Sequence, residues 1–227
     1  MDRMDPTPLL DDAAVLWSAP PADRAGRPLL VMLHGYGADE RDLFGLAPSL
    51  PEEFVVAAVR APLPPPFPAP GFSWYPLEGP GAGSAEPVTA SAARLLEWLD
   101  RQHPASEVGL LGFSQGGTVS LQALRLAPER IRFAVNLSGY VMPGALPGDA
   151  LLEERRDAPV FWGRGSADAV IPEPLIAHSI EWLPEHVELS GRVYAGLGHS
   201  VSEAELQDVR AFLQKQLDRM ADREAPE

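Results

Sequence analysis

The 227-residue chain contains no cysteine. Disulfides, thiolate nucleophiles and cysteine-based zinc sites are therefore excluded. Positive charge is also scarce: lysine occurs once, at Lys215, and 18 basic residues face 32 acidic ones, for a net charge of -14. Such a balance disfavours nucleic-acid and anionic-membrane partners and favours solubility. No apolar run is long enough to cross a bilayer, and Met1 to Asp12 is acidic, without the apolar core of a secretion signal. The expectation is a cytoplasmic protein, monomer or homodimer, with no stable membrane insertion. No internal repeat or break in composition divides the chain, so residues 1–227 are read as one domain, with 1–12 and 221–227 as loose termini.

What the chain does have is an alternation of apolar runs and helix-like spacing. Leu29–Leu33, Phe54–Val59, Val108–Gly112, Ile131–Leu137, Pro159–Trp162 and Val187–Tyr194 read as strands, and Ala13–Trp17 as an edge strand. Helical spacing follows at Leu43, Leu46 and Leu50, at Val88–Gln102, from Thr118, at Glu173–Leu183 and from Ser202 to about Met220, where Ser202 and Glu205 spell a capping box. Met142–Arg156 reads as a loop with room for a short helix. Alternating strands and helices predict an α/β fold, a mostly parallel sheet covered on both faces. Residues 62–87 are rich in proline and glycine yet hold Phe67, Phe72, Trp74 and Tyr75, which predicts a pocket wall rather than a linker.

The most informative stretch is Gly112-Phe113-Ser114-Gln115-Gly116, a G-x-S-x-G pattern between a predicted strand and a predicted helix. This is the signature of a nucleophile elbow: glycines flank a sharp turn that lifts the serine hydroxyl above the sheet. The same turn puts the backbone N–H of Gln115 at a helix N-terminus, facing an anion. Ligand sites in such sheets form beyond the carboxyl ends of strands. Asp168 and His199 follow two later strands there, giving the chain order Ser, Asp, His. A serine hydroxyl needs a base, for which His199 is the candidate, and Asp168 would fix the imidazole tautomer and stabilise its cation. The glycine-lined turn after Leu33 can bring the backbone N–H of Tyr36 opposite that of Gln115, making a two-donor oxyanion hole.

Other candidates are assigned blander roles. His34 lies inside that turn and reads as structural, and His103, His178 and His186 read as solvated or packing residues on helices or helix ends. Asp149 and Asp157 read as surface charges, and Asp39 as a helix cap. No spacing suits a metal.

In Leu33-His34-Gly35-Tyr36-Gly37-Ala38-Asp39, Gly112 to Gly117, Gly165-Ser166-Ala167-Asp168 with Val170-Ile171-Pro172, and Gly198-His199-Ser200, the chain resembles the phospholipase/carboxylesterase family of α/β-hydrolases, which includes the acyl-protein thioesterases. The resemblance runs over nearly the whole chain. It implies an α/β-hydrolase fold, the triad Ser114, Asp168 and His199, oxyanion donors at Tyr36 and Gln115, and no cofactor. The implied reaction is hydrolysis of small-molecule carboxylic esters or thioesters, and Trp74 is implied to line the acyl pocket. The chain departs from the family pattern at Pro76, at Ala169 and in Gly163-Arg164-Gly165. Two other readings stand beside this one: a catalytically inactive binding protein on the same fold, and a peptidase or acyltransferase using the same triad.

Overall fold

The computed structural model describes residues 7–64, 68, 70–77, 83–102 and 107–224. His103 and Phe67, singled out from the sequence, lie outside them. Seven strands form one sheet: β1 (Leu16–Trp17), β2 (Leu29–Leu33), β3 (Val55–Val59), β4 (Val108–Phe113), β5 (Phe133–Leu137), β6 (Pro159–Gly165) and β7 (Glu188–Tyr194). Their spatial order is β1-β3-β2-β4-β5-β6-β7. Only β1 runs antiparallel, pairing Leu16 with Ala58 and Trp17 with Ala57 at the edge. The other neighbours are parallel, which requires a crossover after each strand.

Because side chains alternate across a strand, continuous apolar strands supply two cores. Leu29, Val31 and Leu33 of β2 join one with Trp98 of α2 (Ala85–Arg101), Val119 and Leu124 of α3 (Gln115–Leu126), Leu152 of α4 (Asp149–Arg155) and Leu183 of α5 (Glu173–His186). Leu30 and Met32 join the other with Leu43 of α1 (Arg41–Phe44) and Val209, Phe212 and Leu213 of α6 (Glu203–Glu224). The expected doubly covered sheet is what forms. No helix among the described residues is long and apolar enough to cross a membrane.

Several boundaries differ from expectation. The N-terminal arm is not loose from Thr7 onward: Leu10 is buried in the first core, and Arg94 Nε donates to the Thr7 carbonyl at 2.7 Å. At the other end α6 continues to Glu224. The helix expected over Leu43 to Leu50 is only Arg41–Phe44 followed by a 3-10 turn at Ala47–Ser49, because Pro48 removes an N–H donor. β6 runs on to Gly165, three residues past Trp162.

The capping box at α6 is half-made. Glu205 N–H donates to Ser202 Oγ at 3.1 Å, but the fully buried Glu205 carboxylate has no partner in normal hydrogen-bond geometry. It is packed against Gly163, where a Cβ would come within 2.1 Å of Glu205 Oε1. Burial raises the Glu205 pKa to about 7, with repulsion from Asp208 adding and the Ser202 N–H opposing. An unfolded Glu titrates near 4.5. The folded state therefore holds a proton that the unfolded state loses as pH rises from about 4.5 to about 7, and stability falls across that window. Glu205→Gln should raise the melting temperature at pH 8 and leave it nearly unchanged at pH 4.5. Thermal unfolding at the two pH values measures this, and an equal gain at both would contradict the assignment.

Candidate active site

The turn after β4 is dictated by close backbone approach. Ser114 sits at φ 54° and ψ -115°, a strained conformation for a residue with a Cβ. Around it there is no space for side chains: a Cβ on Gly112 would lie 2.2 Å from Gly116 backbone, and one on Gly116 would lie 2.0 Å from the Leu33 carbonyl. The first turn of α3 is thus pressed against β4 and β2, and the serine is thrust out at its N-terminus. The Ser114 N–H donates to the Leu137 carbonyl at 2.8 Å, which ties the strained residue to β5.

Three predicted side chains meet here. His199 Nε2 lies 2.9 Å from Ser114 Oγ, and His199 Nδ1 lies 2.7 Å from Asp168 Oδ2. Asp168 Oδ1 accepts from the backbone N–H groups of Val170 at 2.9 Å and Ile171 at 3.4 Å, so its second oxygen is aimed at the imidazole. Burial alone would raise the Asp168 pKa, yet the bonds from His199, Val170 and Ile171 outweigh it and the net shift is downward. The ring of Phe113 packs on His199 with centroids 5.0 Å apart. Asp168, an acceptor, fixes the proton of neutral His199 on Nδ1 and leaves Nε2 free to accept from Ser114. The chain of bonds can move a proton off the hydroxyl.

Among the described residues the backbone N–H groups of Gln115 and Tyr36 have no acceptor, and both residues line the same cavity as Ser114 and His199. His34, just before, is 1% exposed; its Nδ1 lies 2.7 Å from the Gly35 carbonyl and its Nε2 accepts from Ala61 N–H at 3.0 Å. Burial lowers its pKa. It is a neutral structural group, as expected from sequence. Asp39 accepts from Arg41 N–H at 2.8 Å, as a cap should.

The cavity encloses about 470 Å³. Beyond its polar end it is lined by Tyr75, Pro76, Leu77, Val88, Tyr140, Met142 and the run Val170, Ile171, Pro172 and Leu175. Trp74 is not among them, which corrects the expectation drawn from the resemblance. It is fully buried, packs on His34 with centroids 5.7 Å apart, and donates from Nε1 to the His34 carbonyl at 2.8 Å. The alternation of a locally extended segment explains the exchange: Tyr75 faces the cavity, so Trp74 faces the core.

Residues 71–75 also hold the two donor-bearing turns in place. Phe72 exchanges backbone bonds with Gly37 and Ala38 at 2.9 and 2.8 Å. The Gln115 side chain accepts from Trp74 N–H at 3.0 Å and Ser73 Oγ at 3.2 Å, and donates to the Tyr75 carbonyl at 2.8 Å. The sequence pattern points to a backbone role alone for Gln115; its amide has the donors and acceptor to bridge, but only the fold brings the partner segment to it. A second correction concerns Asp149, expected at the surface. It makes a bidentate pair at 2.8 Å with Arg125, whose side chain is 1% exposed and also donates to the Met142 carbonyl. Arg125 therefore pins the cavity-lining loop after β5 to the last turn of α3. Among the described residues no cluster of acidic, histidine or cysteine side chains suits a metal ion.

Trp74→Ala should cost about 3–5 kcal/mol, the usual penalty for deleting a large buried aromatic. Because it undermines the His34 to Ala38 turn rather than the cavity wall, any turnover of ester substrates should fall by a similar factor for every acyl length. Urea unfolding and a chain-length panel check both parts, and a selective loss of long chains would restore the pocket role.

A family model described as phospholipase/carboxylesterase matches residues 19–217. Among curated relatives, acyl-protein thioesterase 1 of Kluyveromyces lactis is 30% identical over 125 residues, covering 53% of this chain and 55% of the relative. A probable carboxylesterase of Oryza sativa subsp. japonica is 28% identical over 119 residues, covering 50% and 43%. The matched part spans about half the length of these curated relatives. Solved structures match over more of their length: esterase PE8 with TM-score 0.68 and 26% identity, covering 91% of this chain and 99% of the other, and a Mesorhizobium loti carboxylesterase with TM-score 0.72 and 23% identity, covering 92% and 99%. The second likeness shows the shared fold. With the family model matched over most of its length, the chain belongs to the phospholipase/carboxylesterase family of α/β-hydrolases.

Proposed function

We propose that the protein is a serine hydrolase that cleaves carboxylic esters or thioesters of short to medium acyl chains through an acyl-enzyme on Ser114. The observation that carries this reading is the bond from His199 to Ser114 at 2.9 Å, backed by the 2.7 Å bond to Asp168. His199 takes the Ser114 proton as Oγ attacks the acyl carbon, and Asp168 stabilises the resulting imidazolium. The oxyanion that develops is received by the Tyr36 and Gln115 N–H groups. His199 returns the proton to the departing alcohol or thiol. Water, activated by His199 in turn, then attacks the acyl-enzyme; the acid leaves, and Ser114 regains its proton.

The relatives named carboxylesterase and acyl-protein thioesterase support an ester or thioester substrate. An apolar cavity of about 470 Å³ supports an acyl group of modest length. A catalytically silent binding protein is disfavoured, because strain at Ser114 is a standing cost that binding alone does not require.

Ser114→Ala should lower kcat on p-nitrophenyl esters by about 10^4-fold or more with unchanged unfolding. Asp168→Asn, which removes the tautomer control, should cost roughly 10^3 to 10^4-fold. Steady-state kinetics on the purified variants decide, and wild-type rates in either one would sink the corresponding role.

A further inference from the structure

The lining of the catalytic cavity carries an uncompensated charge. Asp42, an exposed residue of α1, lines that cavity together with Tyr36, Ser114 and His199. It is the one carboxylate in the lining among the described residues, and no lysine or arginine joins it there. The stretch from Ala61 to Pro87 contains neither basic residue type. Two guanidinium groups lie close in the fold, yet both are committed to neighbouring carboxylates. Arg60 holds Glu40 through two bonds of 2.6 Å, and Arg41 pairs with Asp39 at 3.0 Å and approaches Glu40 at 3.6 Å. Among the described residues the Asp42 carboxylate has no ion pair and no hydrogen bond.

This charge bears on the turn that carries Tyr36. Burial lowers the His34 pKa, and of the carboxylates that oppose the lowering, Asp42 acts more strongly than Asp39 or Glu40. A charge in a cleft with low-dielectric walls focuses its field into the cleft, so Asp42 attracts cationic groups there and repels anionic ones. Tyr36, Tyr75, Phe113 and Tyr140 belong to the same lining, and aromatic rings favour an alkylammonium group. A neutral chain entering the cavity leaves Asp42 solvated by water alone, whereas an ammonium group gains an ion pair.

Resting on the hydrolase reading above, we infer that Asp42 is a specificity-determining residue that recognises a positively charged group on the substrate. The preferred substrates are then esters or thioesters that carry an ammonium group on the acyl or the leaving part, far enough from the scissile bond to reach α1. Substrates with a carboxylate or sulfonate at that place are disfavoured.

The test compares kcat/KM within pairs of esters alike in shape and different in charge. One series sets choline esters against tert-butylethyl esters of the same acids, with the charge on the leaving group. The other sets p-nitrophenyl esters ending in trimethylammonium against those ending in tert-butyl, at successive chain lengths. In at least one series wild type should favour the cationic member by about 3- to 10-fold at low salt, the yield of one partly solvated ion pair. That preference should shrink as sodium chloride rises to about 0.5 M, because salt screens exposed charges. In Asp42→Asn the ratio of cationic to neutral substrate should fall to about one, whatever the absolute rates, and Asp42→Ser serves the same purpose should Asp42→Asn fail to fold. The series that shows the preference identifies which part of the substrate bears the charge. A wild type with no cationic preference in either series overturns the inference. So does a preference that survives loss of the Asp42 carboxylate, which would belong to the overall acidity of the chain. Fluorophosphonate labelling of Ser114 in the same preparations separates this from failure of the hydrolase reading, since labelled protein that lacks the preference refutes only the role of Asp42.

Discussion

The site depends on one steric constraint: the start of α3 approaches β4 and β2 so closely that only glycine fits at positions 112 and 116. With helix and strand that close, Ser114 is forced to positive φ, and its side chain is directed away from the packed backbone. The geometry proposed for nucleophilic attack is therefore a by-product of packing. Neither glycine can be exchanged for alanine without moving the helix, and moving the helix would carry Gln115 and its N–H away from Tyr36.

A second layer secures that arrangement. Residues 71–75 are stitched to the turn after β2 by the Phe72 bonds and to the start of α3 by the Gln115 side chain. Trp74 closes the clamp from below through the His34 carbonyl. The two N–H groups proposed to receive the oxyanion are carried by separate elements, and this segment is what fixes their separation. Preorganised donors need no rearrangement when charge develops, which is where such sites gain most of their advantage. Arg125 acts in the same way on the opposite wall, holding the loop that carries Tyr140 and Met142.

Much of this was legible in the sequence because local signals and global pattern agreed. The succession of strands along the chain, the elbow, and the positions of Asp168 and His199 beyond their strands all follow from apolar runs ending at glycine and polar residues. What could not be read was which way a side chain faces in an irregular segment. Trp74 and Tyr75 are adjacent aromatics of similar character, and nothing local says that the first enters the core while the second lines the cavity. Asp149 looked like any loop carboxylate, since its partner Arg125 lies 24 residues earlier on a helix. Glu205 matched a capping box, yet the depth at which α6 packs against Gly163 buries the carboxylate that the motif would leave near the surface.

The proposed chemistry and the proposed selectivity are carried by different elements. Strand ends supply Ser114, Asp168 and His199, whereas the cavity is shaped by the segments around Tyr75 and Tyr140 and takes its charge from Asp42 of α1, so substrate preference can vary without disturbing proton transfer. The central claim is that turnover passes through a covalent acyl group on Ser114. It is tested most directly by quenching the enzyme in acid during turnover of a slowly deacylating activated ester and locating the added mass by peptide mass spectrometry. The account predicts a single acyl adduct on the peptide containing Ser114 that disappears as substrate is exhausted; turnover with no adduct at Ser114, or with the adduct on another residue, would contradict it.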